Sequence, residues 1–193
     1  MSKILLLLSS IIILLINYGC SPVNVAASGG ATAMVIAEGD KSMGTVVDDA
    51  TIKINISGKF LQSKNNIFLD VNTNVTKGRV LLTGSVDTQE IRIEAVRSVW
   101  EIKGVSEVIN EIEIGNKSTL KEYANDLWIN TQARSLAAKT VGLRALGYNF
   151  ETIKGKIYIA GITSRPAQLE LIINNLKNIK GVKEIINYVV VLE

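Results

Sequence analysis

Two neighbouring carboxylates, those of Asp48 and Asp49, could in principle perform general acid–base chemistry. The same two acids lie where an amphipathic helix is predicted to begin. Acidic side chains at that position satisfy free backbone N–H groups and interact favourably with the helix dipole. We therefore favour a structural role for this acidic pair over a catalytic one.

The residue inventory excludes most other routes to catalysis. The chain has 193 residues, no His and a single Cys. Imidazole general bases, Ser-His-Asp and Cys-His nucleophile systems and nearly every type of zinc site are therefore ruled out. A Ser-Lys or carboxylate pair stays open, although no pattern marks one. We predict no catalytic residues, no cofactor and no metal site.

The charge and aromatic content argue against nucleic acid as a partner. The formal net charge is only +3, and the chain contains two Trp, five Tyr and three Phe. Binding of nucleic acid usually requires a strongly basic face, often with aromatic platforms on which bases stack. We predict that the partner belongs to another class.

The N-terminus has the features of a secretory signal. Lys3 is followed by an apolar run from Ile4 to Ile16, and thirteen residues at about 1.5 Å each are too few to cross a bilayer core of about 30 Å. Cys20 ends this stretch and resembles the acylated cysteine of a lipoprotein, with Ser21 favouring the outer membrane. Asn17 departs from the usual aliphatic residue. An ordinary cleaved signal or an uncleaved anchor, with Cys20 incidental, stays open.

The rest of the chain is an internal duplication. Residues 102–110 read IKGVSEVIN and residues 179–187 read IKGVKEIIN, and the same offset of 77 aligns residues 49–114 with the second copy without a gap. We predict five segments: a signal at 1–19, a Gly/Ala/Ser-rich tether at 20–45, a first domain at 46–114, a linker at 115–122 and a second domain at 123–193.

Each copy has the periodicity of an α+β fold in the order αββαβ. In the first copy, Ile52, Ile56 and Phe60 follow helical spacing, and residues 67–75 alternate as a half-buried strand. A tight turn at Gly78, a return strand, a helix from Asp87 to Gly104 and a third strand complete the copy. Two helices packed on one face of a three-stranded mixed sheet satisfy this pattern, and the repeated IKGV is the reversal between helix and last strand.

The first helix of the second copy places an aromatic side chain away from the predicted core. At 100° per residue, the core stripe consists of Ile129, Ala133, Leu136, Thr140 and Leu143. Trp128 points to the wetter side, and its face also carries Gln132, Ser135, Lys139 and Gly142. The first copy has Thr51 at the position of Trp128. Contact with a membrane interface is one interpretation, and packing against the other domain or residues 115–124 is the other.

These motifs resemble the BON domain. The first copy, with GRVLLTGSV and GVSEVIN, is similar to one BON domain, and the second copy, with GKIYIAGIT and GVKEIIN, is similar to another. The stretch NDLWI with the following QARS resembles the second copy of dual BON-domain lipoproteins of the Gram-negative outer membrane. Ala137 and Ala138 depart from the larger aliphatic residues expected there. The resemblance implies an αββαβ fold twice, no catalysis, and a location on the periplasmic face of the outer membrane.

The resemblance also implies a ligand and a site. The ligand is anionic phospholipid, bound through the first helix of the second domain in support of outer-membrane integrity. The implied lipid attachment is at Cys20, and the implied membrane-binding residues are Trp128, Gln132, Arg134, Ser135, Lys139, Val141, Gly142, Leu143 and Arg144. An envelope adaptor that binds an outer-membrane assembly machine or regulates a cell-wall enzyme is the alternative.

Overall fold

The computed structural model describes residues 43–115 and 118–192, with side chains from Asp48 onward. These residues belong to one compact unit, Val35–Glu193. The predicted signal, the lipid attachment at Cys20 and most of the predicted tether lie outside the described residues. No helix in the described ranges combines the length and apolar character needed to cross a bilayer.

The first domain follows the predicted order of elements. It consists of α1 (Met43–Gln62), a one-turn helix α2 (Ile67–Asp70), β1 (Val71–Thr76), β2 (Arg79–Val86), α3 (Gln89–Trp100) and β3 (Glu107–Ile114). The sheet order is β1-β2-β3, with β1 antiparallel and β3 parallel to the central strand. The prediction of a three-stranded mixed sheet with helices is confirmed.

The second domain repeats this topology. It consists of α4 (Leu120–Val141), a 3-10 segment (Gly142–Gly147), β4 (Tyr148–Ile153), β5 (Lys156–Thr163), α5 (Pro166–Leu176) and β6 (Glu184–Val191). β5 is central, antiparallel to β4 and parallel to β6. α4 begins inside the segment predicted as a linker, because Thr119 and Glu122 form a capping box at its first turn.

The acidic residues of the first helix stabilise a hairpin turn rather than the helix start. α1 begins at Met43, five residues before Asp48. The Asp49 carboxylate accepts hydrogen bonds from the backbone N–H groups of Lys77 and Gly78, at 2.9 and 2.9 Å. Asp126 does the same for residues 154 and 155, at 2.7 and 2.8 Å. Each carboxylate therefore ties its helix to the β-hairpin, and the expected position of these acids at the helix start was wrong.

The hairpin turns explain why the IKG reversal occurs twice. Lys77 and Gly78 both have positive φ, as a type I′ turn requires. A Cβ on Gly78 would lie 2.6 Å from the carbonyl oxygen of Gly104, so the hairpin and the helix-to-strand reversal pack backbone against backbone. Gly78 therefore cannot be replaced without displacing the reversal, and the same contact recurs between Gly155 and Gly181, at 2.8 Å.

Three local predictions need correction. Thr88, not Asp87, caps α3, since its hydroxyl accepts the N–H of Ile91, and the helix ends at Trp100 rather than Gly104. Residues 67–70 are helical, which leaves Leu69 79% exposed instead of aligned with the core face of a strand. Thr88 rather than Asp87 caps the helix because the Thr88 hydroxyl reaches the backbone N–H of Ile91, three residues further along the chain.

The two cores hold their largest side chains on different elements. In the first domain, Phe60 of α1 is buried and Thr73 of β1 is only half-buried. The aligned residues of the second domain are Ala137 on α4 and Phe150 on β4, and both are buried. The aromatic volume has moved from helix to strand, so the unexpected Ala137 leaves no deficit in the core.

The two sheets pack against each other through the faces that the helices leave uncovered. Leu81, Tyr158 and Ala160 form a buried cluster with side chains from β3 and β6. The Tyr188 hydroxyl donates a hydrogen bond to Glu111, and these two residues occupy aligned positions of the two copies. Contact between aligned positions is the mark of an approximate two-fold axis. Lys156 and Lys154 also reach Glu113, at 2.8 and 3.3 Å.

Candidate functional site

The exposed face of α4 is fixed by the residues that the helix buries. Ile129, Ala133, Ala137 and Val141 point into the second core, with Val141 only 8% exposed. Trp128 lies off that face and is 46% exposed. Gln132, Ser135, Lys139 and Gly142 are also exposed, as the helical periodicity predicts. The outward face of α4 therefore combines an amphipathic ring with a cation.

One of the predicted surface residues, Val141, is buried, and another, Arg144, is only partly exposed. Val141 belongs to the core of the second domain, because α4 continues to that residue and brings it under the sheet. Arg144 is half-buried, with its Nε enclosed by protein. Leu143 was predicted both in the core and in contact with membrane. The structure contradicts the first of these roles, since Leu143 is 53% exposed in the 3-10 segment.

Arg134 faces a different direction from Trp128. Its guanidinium donates a hydrogen bond to the carbonyl oxygen of Phe150, at 3.0 Å, which holds the side chain against β4. The six-residue separation places it about 120° from Trp128 around the helix. Arg134 and Trp128 therefore belong to two adjacent surfaces rather than to one.

A groove runs along the C-terminal end of α4. Its volume is ≈ 870 Å³, and its walls include Arg134, Ala138, Gly142, Leu143, Leu146 and Tyr148. Sequence reasoning did not identify Ala138 or Leu146 as site residues. The available indication was that Ala138 is smaller than expected, which the resemblance had already marked as a departure. The first domain carries Leu61 and Asn65 where the groove has Ala138 and Gly142.

A second cavity lies between the two domains. It has a volume of ≈ 370 Å³ and receives Lys53 and Phe68 from the first domain and Arg134 and Glu151 from the second. Asn72 donates a hydrogen bond to the Glu151 carboxylate at 3.1 Å. Burial raises the pKa of the Glu151 carboxyl, while the positive charges of Arg134 and Lys53 act in the opposite direction. Arg134, Asn149 and Phe150 line both this interdomain cleft and the groove.

The described residues bring together no group of three or more His, Cys, Asp or Glu side chains that could hold a metal ion. Asp49 and Asp126 each accept two backbone N–H groups.

Comparison with known proteins gives a consistent result. The family model described as "BON domain" matches residues 48–116 and 125–193. The chain is 38% identical over 144 residues to an uncharacterized protein in the gshII 5′ region of Anaplasma centrale, covering 74% of this chain and 94% of that protein.

Two further relatives have descriptive names. The outer membrane lipoprotein DolP of Haemophilus influenzae is 26% identical, with 96% of this chain and 94% of that protein covered. The osmotically-inducible protein Y of Escherichia coli is also 26% identical, with 77% and 76% covered.

Proposed function

This chain belongs to the BON-domain family, and from that premise we propose that it is a non-catalytic envelope protein that binds membranes rich in anionic phospholipid. The outward face of α4 makes the contact, through Trp128, Gln132, Ser135 and Lys139. The name of the Haemophilus influenzae relative, an outer membrane lipoprotein, supports a location on the periplasmic face of the outer membrane. In that position the protein supports outer-membrane integrity.

The observation that carries this proposal is the exposed Trp128. An indole ring at a bilayer interface places its apolar body among the acyl chains and its N–H among the headgroups. Full burial of a Trp side chain removes roughly 200 Å² of surface from water, which stabilises binding by at most about 5 kcal/mol. Partial insertion contributes about 1–3 kcal/mol. Lys139 adds about 1 kcal/mol against an anionic surface, a contribution that salt screens.

Vesicle flotation of residues 35–193, which lack the predicted signal and Cys20, tests the proposal. Binding should increase with the fraction of phosphatidylglycerol in phosphatidylcholine vesicles and should decrease as salt is added. Pure phosphatidylcholine vesicles are the control for non-specific adsorption. Equal flotation with neutral and anionic vesicles would remove the electrostatic part of the proposal, and no flotation with either would refute it.

We further propose that acylation of Cys20 anchors the chain independently of the BON domains. A single acyl chain gives only marginal attachment, on the order of 10⁴ M⁻¹, whereas several chains hold a protein firmly. Wild-type protein should incorporate a palmitate analogue and stay with membranes at high salt. Cys20→Ala should lose the label and either be released or be retained unprocessed. Full labelling of the Cys20→Ala variant would show that the lipid is attached elsewhere.

A second candidate function is that of an envelope adaptor, and the exposed apolar side chains of the first domain favour it. Its helices expose Ile54, Leu61, Ile93 and Trp100, where the second domain has Thr131, Ala138, Glu170 and Lys177. Exposed apolar side chains on an otherwise polar layer are typical of protein contacts. A photo-crosslinking residue at position 100 should then capture a protein in intact cells, and the same residue at position 177 should not. Equal capture at both positions would count against the adaptor function.

A further inference from the structure

The groove on α4 and the interdomain cleft adjoin each other. Arg134, Asn149 and Phe150 line both, so the two depressions are neighbours on the surface. Arg134 marks the boundary between them. Its hydrogen bond to Phe150 fixes the guanidinium at that boundary, and its remaining N–H groups are available to a ligand.

The groove side of this boundary is apolar, and it exists because two side chains are small. Its lining includes Ala138, Gly142, Leu143, Leu146 and Tyr148. A Cβ built on Gly142 would meet nothing within 4 Å. The first domain has Leu61 and Asn65 at these two positions, so the two small side chains are particular to the second copy.

The cleft side of the boundary is polar and cationic. Lys53 from the first domain and Arg134 from the second contribute two positive charges, against the single carboxylate of Glu151. Glu151 already accepts a hydrogen bond from Asn72. The side-chain amides of Asn74 and Asn149 supply further N–H donors, whereas the Ser57 hydroxyl already donates to the carbonyl oxygen of Lys53. An anionic group bearing several oxygen acceptors matches this set of donors.

We propose that the adjoining groove and cleft bind one molecule of a monoacyl anionic lipid, which passes Arg134 with its chain in the groove and its anionic head between Lys53 and Arg134. The inference rests on the proposed function, because a lipid would enter the groove from the membrane. Ser135, Gly142 and Leu143 line the groove next to the face of α4 that is proposed to meet the membrane. The inference adds that a single lipid molecule is recognised outside a bilayer. Both domains contribute to the site, so their fixed packing is required for it.

Titration of residues 35–193 with a short-chain lysophosphatidylglycerol, kept below its critical micelle concentration, tests the proposal by NMR. Saturable shifts are expected at backbone amides of the groove and cleft. Ala138→Leu introduces the side chain that the first domain carries and adds bulk to the lining of the groove, so affinity should fall by about tenfold, as expected when roughly two methylene groups are displaced. Ala124→Leu makes the same change at an exposed position of α4 outside the groove and should leave affinity unchanged.

The head and the chain are tested separately. Lysophosphatidylcholine should bind more weakly than lysophosphatidylglycerol, and Arg134→Gln should reduce that preference. A fatty acid of the same chain length distinguishes a general requirement for an anionic head from a requirement for phosphate. Glycerophosphoglycerol, which has no chain, should show no saturable binding at the same concentrations.

The variants also separate this site from the vesicle-binding face. Trp128→Ala should lose vesicle binding and keep lysolipid binding, whereas Ala138→Leu should do the reverse. Leu146→Asn, which changes an exposed side chain, provides a second groove variant, and melting curves check that each variant is folded. The proposal is overturned if wild-type protein shows no saturable binding of monomeric lysolipid, or if folded Ala138→Leu binds it as well as wild type does.

Discussion

The two domains share one backbone plan and expose different side chains. Both tie helix to hairpin with an aspartate, both use a Lys-Gly turn, and both reverse direction at IKG. On the outer helices the copies diverge at aligned positions. Thr51 corresponds to Trp128, whereas Trp100 corresponds to Lys177. The residues that build the fold have been kept after duplication, and the surfaces have been free to take on separate roles.

The interface between the domains is also only partly symmetric. Glu111 and Tyr188 meet at aligned positions, as a two-fold arrangement requires. Glu113, however, is aligned with Val190, so its ion pairs with Lys154 and Lys156 have no counterpart on the other side. Burial and the hydrogen bond to Glu111 raise the pKa of Tyr188 to about 12, so this hydroxyl remains a donor at neutral pH. These polar contacts add to the buried cluster of Leu81, Tyr158 and Ala160 and to the hydrogen bond from Asn72 to Glu151 in holding the two sheets together.

The largest expected effect comes from the aromatic residue that differs between the cores. Phe60→Ala should lower the free energy of unfolding by about 3–5 kcal/mol, because it opens a cavity in the first core. Adding Thr73→Phe imitates the second domain, in which Phe150 supplies the volume, and should restore roughly 1–2 kcal/mol. Urea unfolding of residues 35–193 measures both. If the double variant is less stable than Phe60→Ala, an aromatic side chain on the strand cannot replace the one on the helix, and the comparison of the two cores is wrong.

The aspartates test the shared part of the plan. Asp49→Ala and Asp126→Ala each leave two backbone N–H groups of a hairpin turn without a partner, so each should lower stability by about 2–4 kcal/mol. Asn at either position keeps one acceptor and should cost less. Hydrogen exchange at residues 77–78 and 154–155 reports which turn is affected. A large loss in one domain with none in the other would show that the two motifs are not equivalent.

The ion pairs of Glu113 give the interface a pH dependence. The hydrogen bond from Lys156 lowers the pKa of Glu113, with burial opposing and Lys154 adding to the effect. A lowered pKa in the folded state means that the carboxylate contributes stability above its unfolded pKa. This contribution is lost as pH falls through the folded value. Glu113→Gln should therefore cost about 1 kcal/mol or less at pH 7 and nothing at acid pH. A cost that persists unchanged below pH 3 would contradict this cause.

A charge on the α4 face should have the smallest effect. Lys139→Glu is expected to weaken binding to phosphatidylglycerol vesicles by about fivefold at low salt and by less at high salt. Lys177→Glu makes the same change in net charge at the end of α5 and serves as its matched control. Equal losses in the two variants would mean that binding follows net charge rather than the face of α4.

Local periodicity accounted for the fold because the residues that define it act over short distances. Alternation, helical spacing and the Lys-Gly turn placed the elements in the order that the structure shows. The same reasoning could not place Val141 or Leu143, since that depends on where α4 gives way to the 3-10 segment, a boundary set by tertiary packing. Sequence reasoning also missed the groove, because a groove forms where side chains are small and its walls come from separate segments. The one indication in the sequence was that Ala138 is smaller than the resemblance predicts. The role of Asp49 was missed because its partners lie 28 and 29 residues away.

The central claim, that the two domains carry different surfaces and that the second one meets the membrane, is tested most directly by one pair of variants. Trp128 and Trp100 are 46% and 53% exposed, so Trp→Ala at either position removes a similar aromatic surface without opening a core. We expect Trp128→Ala to weaken flotation with phosphatidylglycerol vesicles by about tenfold or more, and Trp100→Ala to leave it unchanged, with both melting temperatures close to wild type. Equal binding by wild type and a stably folded Trp128→Ala would contradict the account.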